Sequence, residues 1–308
     1  MPSRRPPVPP ILVLAFGILA VSTGSIFVRL AQVHAPSLVI AAARLSIATL
    51  LLAPIVLIRQ RAELKALGRG ELLLALLSGL FLALHFATWI TSLEYTTVAS
   101  SVVLVSTTPM WVALLSPITI KEPLTRPVVI GMLLALVGGV IVGVSDSCAW
   151  QAGRLACPPL GEFVRGQAFL GDLLALTGAF MAAGYLIIGR RLRAGTSLLS
   201  YIFIVYGMAA IVLVVIMLAA GQSMVGYPPV TYLWLFLLAL VPQLLGHSTF
   251  NWALGYLSAA YVSITLLGEP IGSTILAYIL LQEAPTALKV FGAILILIGI
   301  YVASKSDS

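Results

Sequence analysis

A fixed register of 161 residues relates the two halves of this chain, and five long apolar stretches fit inside each half. Reading residue n against n + 161 without gaps pairs Leu93 with Leu254, Tyr95 with Tyr256, Ala99 with Ala260, Pro109 with Pro270 and Glu122 with Glu283. The match runs on through Thr125 and Thr286, Gly131 and Gly292, and Gly138 and Gly299, and more thinly upstream through Gly17 and Gly178 and Arg29 and Arg190. Self-similarity at one offset over nearly the whole chain means two copies of one structural unit. Apolar runs close to the roughly 20 residues needed to cross hydrocarbon predict spans at 11–31, 37–58, 71–93, 97–118, 127–145, 168–190, 197–220, 231–255, 259–281 and 285–303. Five spans per copy is an odd number, so the second copy must enter the membrane inverted relative to the first.

The composition agrees with lipid as the solvent. With 60% hydrophobic and 9% charged residues and a mean hydropathy of +1.11, the chain lacks the polar surface that a soluble fold of this size requires. The charge that remains reads as topology. Lys and Arg are retained preferentially on the cytoplasmic side. With the N-terminus inside, twelve fall on inner segments, against only Arg29, Arg154, Arg165 and Lys289 outside. Both termini are therefore expected in the cytoplasm of a multi-pass protein of a bacterial inner membrane. The net charge of +7 then marks topology and contacts with membrane lipids, and no nucleic-acid partner is expected.

These boundaries divide the chain into a Pro-rich cytoplasmic tail (1–10), a first five-helix repeat (11–145), an external loop (146–167) and a second five-helix repeat (168–304). Arg4 and Arg5 ahead of an apolar run loosely imitate a secretory signal. The run from Ile11 to Leu30 is longer than a signal core and has a repeat partner, so it reads as a retained helix. Cys148 and Cys157 both fall in the external loop, where an oxidising exterior would permit a disulfide between them; two unpaired thiols are the alternative. No metal site is expected from two cysteines and the dispersed His34, His85 and His247.

The stretch Leu93-Glu94-Tyr95-Thr96-Thr97-Val98-Ala99, then Pro109, Lys121-Glu122-Pro123 and the Gly131/Gly138/Gly139 helix, resembles one EamA-type unit of the drug/metabolite transporter superfamily. Ala253-Leu254-Gly255-Tyr256-Leu257-Ser258-Ala259-Ala260, Glu269-Pro270, Gln282-Glu283 and Gly292/Gly299 resemble the same unit again. The whole is most similar to bacterial exporters of aromatic and neutral amino acids. That resemblance implies an all-α membrane protein: ten transmembrane helices as two inverted five-helix repeats around a central cavity. It further implies that spans 1, 3, 4, 6, 8 and 9 line the cavity while spans 5 and 10 lie peripheral.

Glu269 is the sharpest candidate residue. A carboxylate near the bilayer midplane costs about 2.5–3.5 kcal/mol on insertion scales unless it is neutralised, paired or facing water. Its repeat mate is Thr108, so the charge breaks the internal symmetry; it is expected to bind substrate or a proton, or to form an ion pair with Arg44, the one cation deep within a span. His85 and Trp89 share a face of span 3 by their spacing of four, as do Gln243, His247 and Asn251 on span 8, with Trp252 following. These residues are expected to bind substrate, with interhelical hydrogen bonding and interfacial belts as the plainer alternatives. Tyr185 and Tyr206 rank below them. Pro109 and Pro270 each remove a backbone hydrogen bond mid-span and are expected to bend their helices at a central site. The glycines of spans 5 and 10 are expected to pack helices.

No nucleotide-binding loop, zinc helix or nucleophile elbow occurs, so no cofactor and no enzymatic activity are expected. The reading that results is secondary export of a small molecule, an amino acid of aromatic or neutral type, by alternating access. Efflux of cationic drugs is the alternative within the class, since a carboxylate among aromatic rings also suits an organic cation. A sensor or scaffold that transports nothing is the alternative of another class; it would be expected to carry a signalling domain or cytoplasmic tail, for which the sequence shows no segment.

Overall fold

A computed structural model describes residues 6–121, 125–145, 149–151, 154–156 and 166–304. Apolar runs with no water to satisfy their amides have helices as their simplest solution, and the runs fold accordingly. Among the described residues, eight helices are long and apolar enough to cross a membrane: α1 (Pro10–Gln32), α2 (Ser37–Arg59), α3 (Arg69–Tyr95), α4 (Val98–Thr119), α6 (Gln167–Arg193), α7 (Leu198–Ala219), α8 (Pro229–Ala253) and α9 (Ala259–Leu281). Two further helices stand where the fifth and tenth spans were expected: α5 (Arg126–Ser145, 20 residues) and α10 (Ala287–Ser304, 18 residues). Outside them, the strands among the described residues are Ala149–Gln151 and Arg154–Ala156, between α5 and α6, paired antiparallel. Cys148, Cys157 and Glu122 lie outside the described residues.

The molecule distributes polarity as a lipid-embedded protein does. Leu12, Leu19, Leu50, Ile58, Ile118 and Ile211 face outward, where lipid tails take the place of water. Arg44, Gln243, Asn251, Ser78, Ser92 and Ser100 are buried inside. Small residues set the helix contacts. A Cβ built on Gly138 of α5 would stand 2.6 Å from the Gly292 carbonyl oxygen and 2.7 Å from Ile296 Cγ1 of α10, and one on Gly79 of α3 would stand 2.7 Å from the Val205 carbonyl oxygen of α7. The prominent pairings are α5 with α10, α3 with α6, and α7 with both α2 and α3. The first of these is the main contact of α5 and α10, which otherwise touch α4 and α9.

Two helices are broken at matching places. α4 is interrupted at Ser106–Thr107 and α9 at Leu266–Leu267. Pro109 follows as the second residue of Thr108–Thr119 and Pro270 as the third of Gly268–Leu276. Each proline therefore sits in a first turn, where the missing N–H has no partner to lose. At the far ends of α4 and α9, Lys121 and Gln282 both adopt the left-handed conformation, each at φ 59°, and they too are related by the 161-residue register. A third irregularity lies in α8, where Ala239–His247 forms the wide turns of a π-helix around Pro242. Such segments occur often at functional sites.

Helix starts are capped from a distance. Ser197, just ahead of α7, donates through its backbone N–H to Glu63 Oε1 (2.6 Å) and through its hydroxyl to Glu63 Oε2 (2.5 Å), and the Ser200 hydroxyl also donates to Oε2 (2.6 Å). Ser37 at the start of α2 donates in the same way to Glu94 Oε1, at 3.1 Å from its backbone N–H and 2.5 Å from its hydroxyl. Partial burial alone would raise the Glu63 carboxyl, but the hydrogen bonds from Ser197 and Ser200 and the nearby Arg193 charge hold it below its usual value.

Two outcomes follow from this packing. Gly138→Val should force α5 and α10 apart and cost about 1–3 kcal/mol, seen as a lower melting temperature of the detergent-solubilised protein; an unchanged melt would refute the close approach. Because the folded-state pKa of Glu63 is depressed, its contribution is complete above the ordinary carboxyl value and is lost as pH falls through the lowered one. The melting difference between wild type and Glu63→Gln should accordingly be present at neutral pH and shrink below about pH 4.

Candidate functional site

Between the broken helices lies a cavity with about 690 Å³ of space free of atoms, including what opens to solvent. Its walls come from both halves: Val21 of α1, Arg44 of α2, His85 and Trp89 of α3, Val105, Ser106, Thr108 and Pro109 of α4, Ala182, Tyr185 and Leu186 of α6, His247 and Phe250 of α8, and Ser263, Leu266 and Glu269 of α9. Four pairs of these residues are repeat mates: Val21 with Ala182, Trp89 with Phe250, Val105 with Leu266, and Thr108 with Glu269. The cavity thus sits where the two copies of the unit meet.

Arg44 is 1% exposed. Its Nε donates to Gln243 Oε1 at 2.8 Å, and its guanidinium lies 4.2 Å from the centre of the Phe86 ring and 6.0 Å from that of Trp89. Arg44 Nη1 is buried with no hydrogen-bond partner among the described residues, and so is Trp89 Nε1. The expected Arg44–Glu269 ion pair is not formed in this conformation. No salt bridge within 4.0 Å joins the two, and the ion pair found among the described residues is Arg29–Glu283 at 3.4 Å. The guanidinium is instead engaged by Gln243 and lies over the ring of Phe86. Glu269 emerges at the break in α9, one residue after Gly268, where the chain re-enters a helix.

The histidines and tyrosines form the rest of the wall. The Gly178 carbonyl of α6 accepts from His85 Nδ1 at 2.9 Å; the His85 ring is parallel to that of Trp89, with centroids 6.0 Å apart, and 6.5 Å from that of His247. Asn251 does not line the cavity but stands behind it. Its Nδ2 donates to the His247 carbonyl (2.9 Å), to Tyr206 Oη (3.3 Å) and to Tyr185 Oη. Of the residues singled out in sequence, His85, Trp89, His247, Glu269, Arg44 and Pro109 come together around one space. Gln243 and Asn251 support those residues from behind, and Tyr185, ranked low in sequence, faces the space directly.

Two expected residues lie elsewhere. Trp252 lies against Tyr256 at the end of α8, with ring centres 4.8 Å apart and planes tilted by 51°, and Pro270 faces a separate apolar groove beside α10 together with Ile271, Ile275 and Val290. Helical spacing explains the first: Trp252 follows Asn251 by one residue, so it points some 100° around the helix from the face that holds His247 and Asn251. Phe86 and Phe250 were not singled out, because phenylalanine in an apolar span looks the same whether it faces lipid or a cavity. The available signal for Phe250 was its register with Trp89.

Comparison with known proteins agrees with this architecture. The sequence profile of the EamA-like transporter family matches residues 8–144 and again 169–305, so both ends of the match are displaced by 161. An uncharacterized transporter of Bacillus subtilis strain 168, YyaM, is 24% identical over 224 residues, which are 71% of this chain and 68% of that protein. An uncharacterized transporter of Archaeoglobus fulgidus is 24% identical over 249 residues, 80% of this chain and 81% of that one. A solved crystal structure superimposes with a TM-score of 0.68 at 19% identity, covering 97% of this chain and 99% of its own, a likeness of fold.

The hold of Gln243 on Arg44 is open to measurement. Gln243→Leu keeps most of the volume but removes the acceptor of a buried guanidinium, a loss of about 1.5–3 kcal/mol. A clearly lower melting temperature is expected; an unchanged one would mean that Nε does not depend on Gln243.

Proposed function

The chain belongs to the EamA-like transporter family and is a multi-pass membrane transporter, and on that basis we propose that it exports amino acids of aromatic or neutral type by alternating access. The observation that carries the reading is the central cavity, in which four pairs of repeat mates converge on a carboxylate among His85, Trp89, Tyr185 and His247. A binding site where two copies of a unit meet is what rocking one repeat against the other requires. In this proposal the ten helices form two inverted five-helix repeats, α5 and α10 are peripheral supports, and the breaks in α4 and α9 are the bends about which the site changes access.

The closed loops of helix ends support the same scheme. On one side of the protein Arg29 Nη2 donates to the Thr96 carbonyl at 2.8 Å and pairs with Glu283, whose Oε2 accepts from the Val98 backbone N–H at 2.9 Å. This cluster ties α1, α4 and the end of α9 together across the two repeats. By the distribution of Lys and Arg it lies outside, with both termini in the cytoplasm of a bacterial inner membrane. No ATP-binding loop occurs in the sequence, so a proton or substrate gradient supplies the drive, with Glu269 as the proton carrier.

Efflux of an organic cation is the second reading, favoured by Glu269 and Trp89 lining the same cavity. Counterflow of labelled amino acids in proteoliposomes separates the readings. Flux of one or more amino acids is expected; flux of an organic cation alone would select the second reading, and no flux of any solute would select a non-transporting sensor. Under an imposed pH gradient Glu269→Gln should lose gradient-driven accumulation while retaining exchange at high substrate concentration. Full gradient-driven flux in that variant would remove Glu269 as the proton carrier.

A further inference from the structure

We infer that the cavity reads both ends of a zwitterion, Arg44 taking the substrate's carboxylate and Glu269 its ammonium group, so that the transporter rejects the corresponding amine and the corresponding acid. The inference rests on the amino-acid reading above and deepens it.

Arg44 and Glu269 bring opposite charges to one cavity without forming a salt bridge to each other. Both also break the internal repeat, since the mate of Arg44 is Val205 and the mate of Glu269 is Thr108. A structural ion pair would have closed on itself to recover the cost of burying two charges. Here each charge keeps capacity for a ligand. Arg44 is anchored through Nε to Gln243 and stacked on Phe86, which leaves Nη1 with no acceptor among the described residues. Trp89 Nε1, on the same cavity, also has none. Two N–H donors without acceptors beside a fixed guanidinium match the needs of a carboxylate, for which arginine has a planar, forked geometry. The Glu269 carboxylate has no hydrogen bond or ion pair among the described residues and can accept from an ammonium group.

The two charges also explain why one site would prefer a zwitterion to an organic cation. A cation bound at Glu269 leaves the Arg44 charge uncompensated in the same low-dielectric space, and an anion bound at Arg44 leaves Glu269 so. Only a ligand carrying both signs neutralises both at once. In the same cavity, His85, Trp89, Tyr185 and Phe250 offer aromatic surface to a neutral side chain.

The test takes the amino acid with the strongest counterflow in proteoliposomes of the full chain and compares three unlabelled competitors on the wild-type protein: that amino acid, the amine left by its decarboxylation and the acid left by its deamination. A lost charge-assisted contact corresponds to a difference on the order of 10- to 100-fold in competing concentration, and both one-ended compounds should compete that much more weakly. Glu269→Gln should weaken competition by the amino acid and the amine while sparing the acid. If either one-ended compound competes as well as the amino acid, two-ended recognition is overturned although amino-acid export stands. If Glu269→Gln leaves competition by the amine unchanged, the ammonium assignment is overturned. If no amino acid gives counterflow, both this inference and the proposed function fail together. Arg44→Gln should weaken competition by the amino acid and the acid while sparing the amine, and competition by the acid left unchanged would overturn the carboxylate assignment; the wild-type series tests two-ended recognition whether or not that variant folds.

Discussion

A backbone inside hydrocarbon has no water to bond, so every N–H and C=O must find its partner within the protein. That constraint explains both the regular and the irregular parts of this structure. The long helices close their own hydrogen bonds and expose apolar side chains outward. Three departures from regular helix lie where the backbone is enclosed by other helices, the break at Ser106–Thr107, the break at Leu266–Leu267 and the wide turns of Ala239–His247, while a further π-helical turn, Ala277–Leu281, lies at the exposed end of α9. Segments next to all three line the same cavity. Irregular backbone at this depth is tolerated where it faces protein or a polar space, so the location of the breaks and the location of the cavity have one cause.

On this scaffold symmetry and asymmetry divide the work. Repeat mates supply shape: Val21 with Ala182, Trp89 with Phe250, Val105 with Leu266. Chemistry comes from positions whose mates differ. Glu269 stands opposite Thr108, and Arg44 has an apolar mate in Val205. A repeated unit by itself would give a cavity with identical ends. A cation in the first copy and a carboxylate in the second give it a direction, which in the proposed function is the direction in which a two-ended substrate lies.

Much of this was legible in the sequence because the membrane imposes one-dimensional rules. Span length follows from bilayer thickness, the repeat from direct comparison, and the glycines from the need for close helix contact, as at Gly138 against Gly292. The candidates chosen by helical spacing were partly brought together: His85, Trp89 and His247 face the cavity, while Gln243 and Asn251 hold its walls. Trp252 and Pro270 turned away, the first around its helix and the second toward the groove beside α10. Spacing tells which residues share a face. It does not tell whether that face meets lipid, a neighbouring helix or an open space.

The sequence alone determined that the chain is a membrane protein built from one unit twice, where its helices run, and that Arg44 and Glu269 are charges too deep to be incidental. These are properties of local hydropathy and of the chain compared with itself. Only the tertiary structure decided what the two charges do with each other. Whether buried opposite charges pair depends on the third groups that hold each one, and here Gln243, 199 residues distant from Arg44 in the chain, and the ring of Phe86 engage the guanidinium. No pattern along the chain encodes those contacts, because they are set by how α2, α3 and α8 pack around the cavity they share.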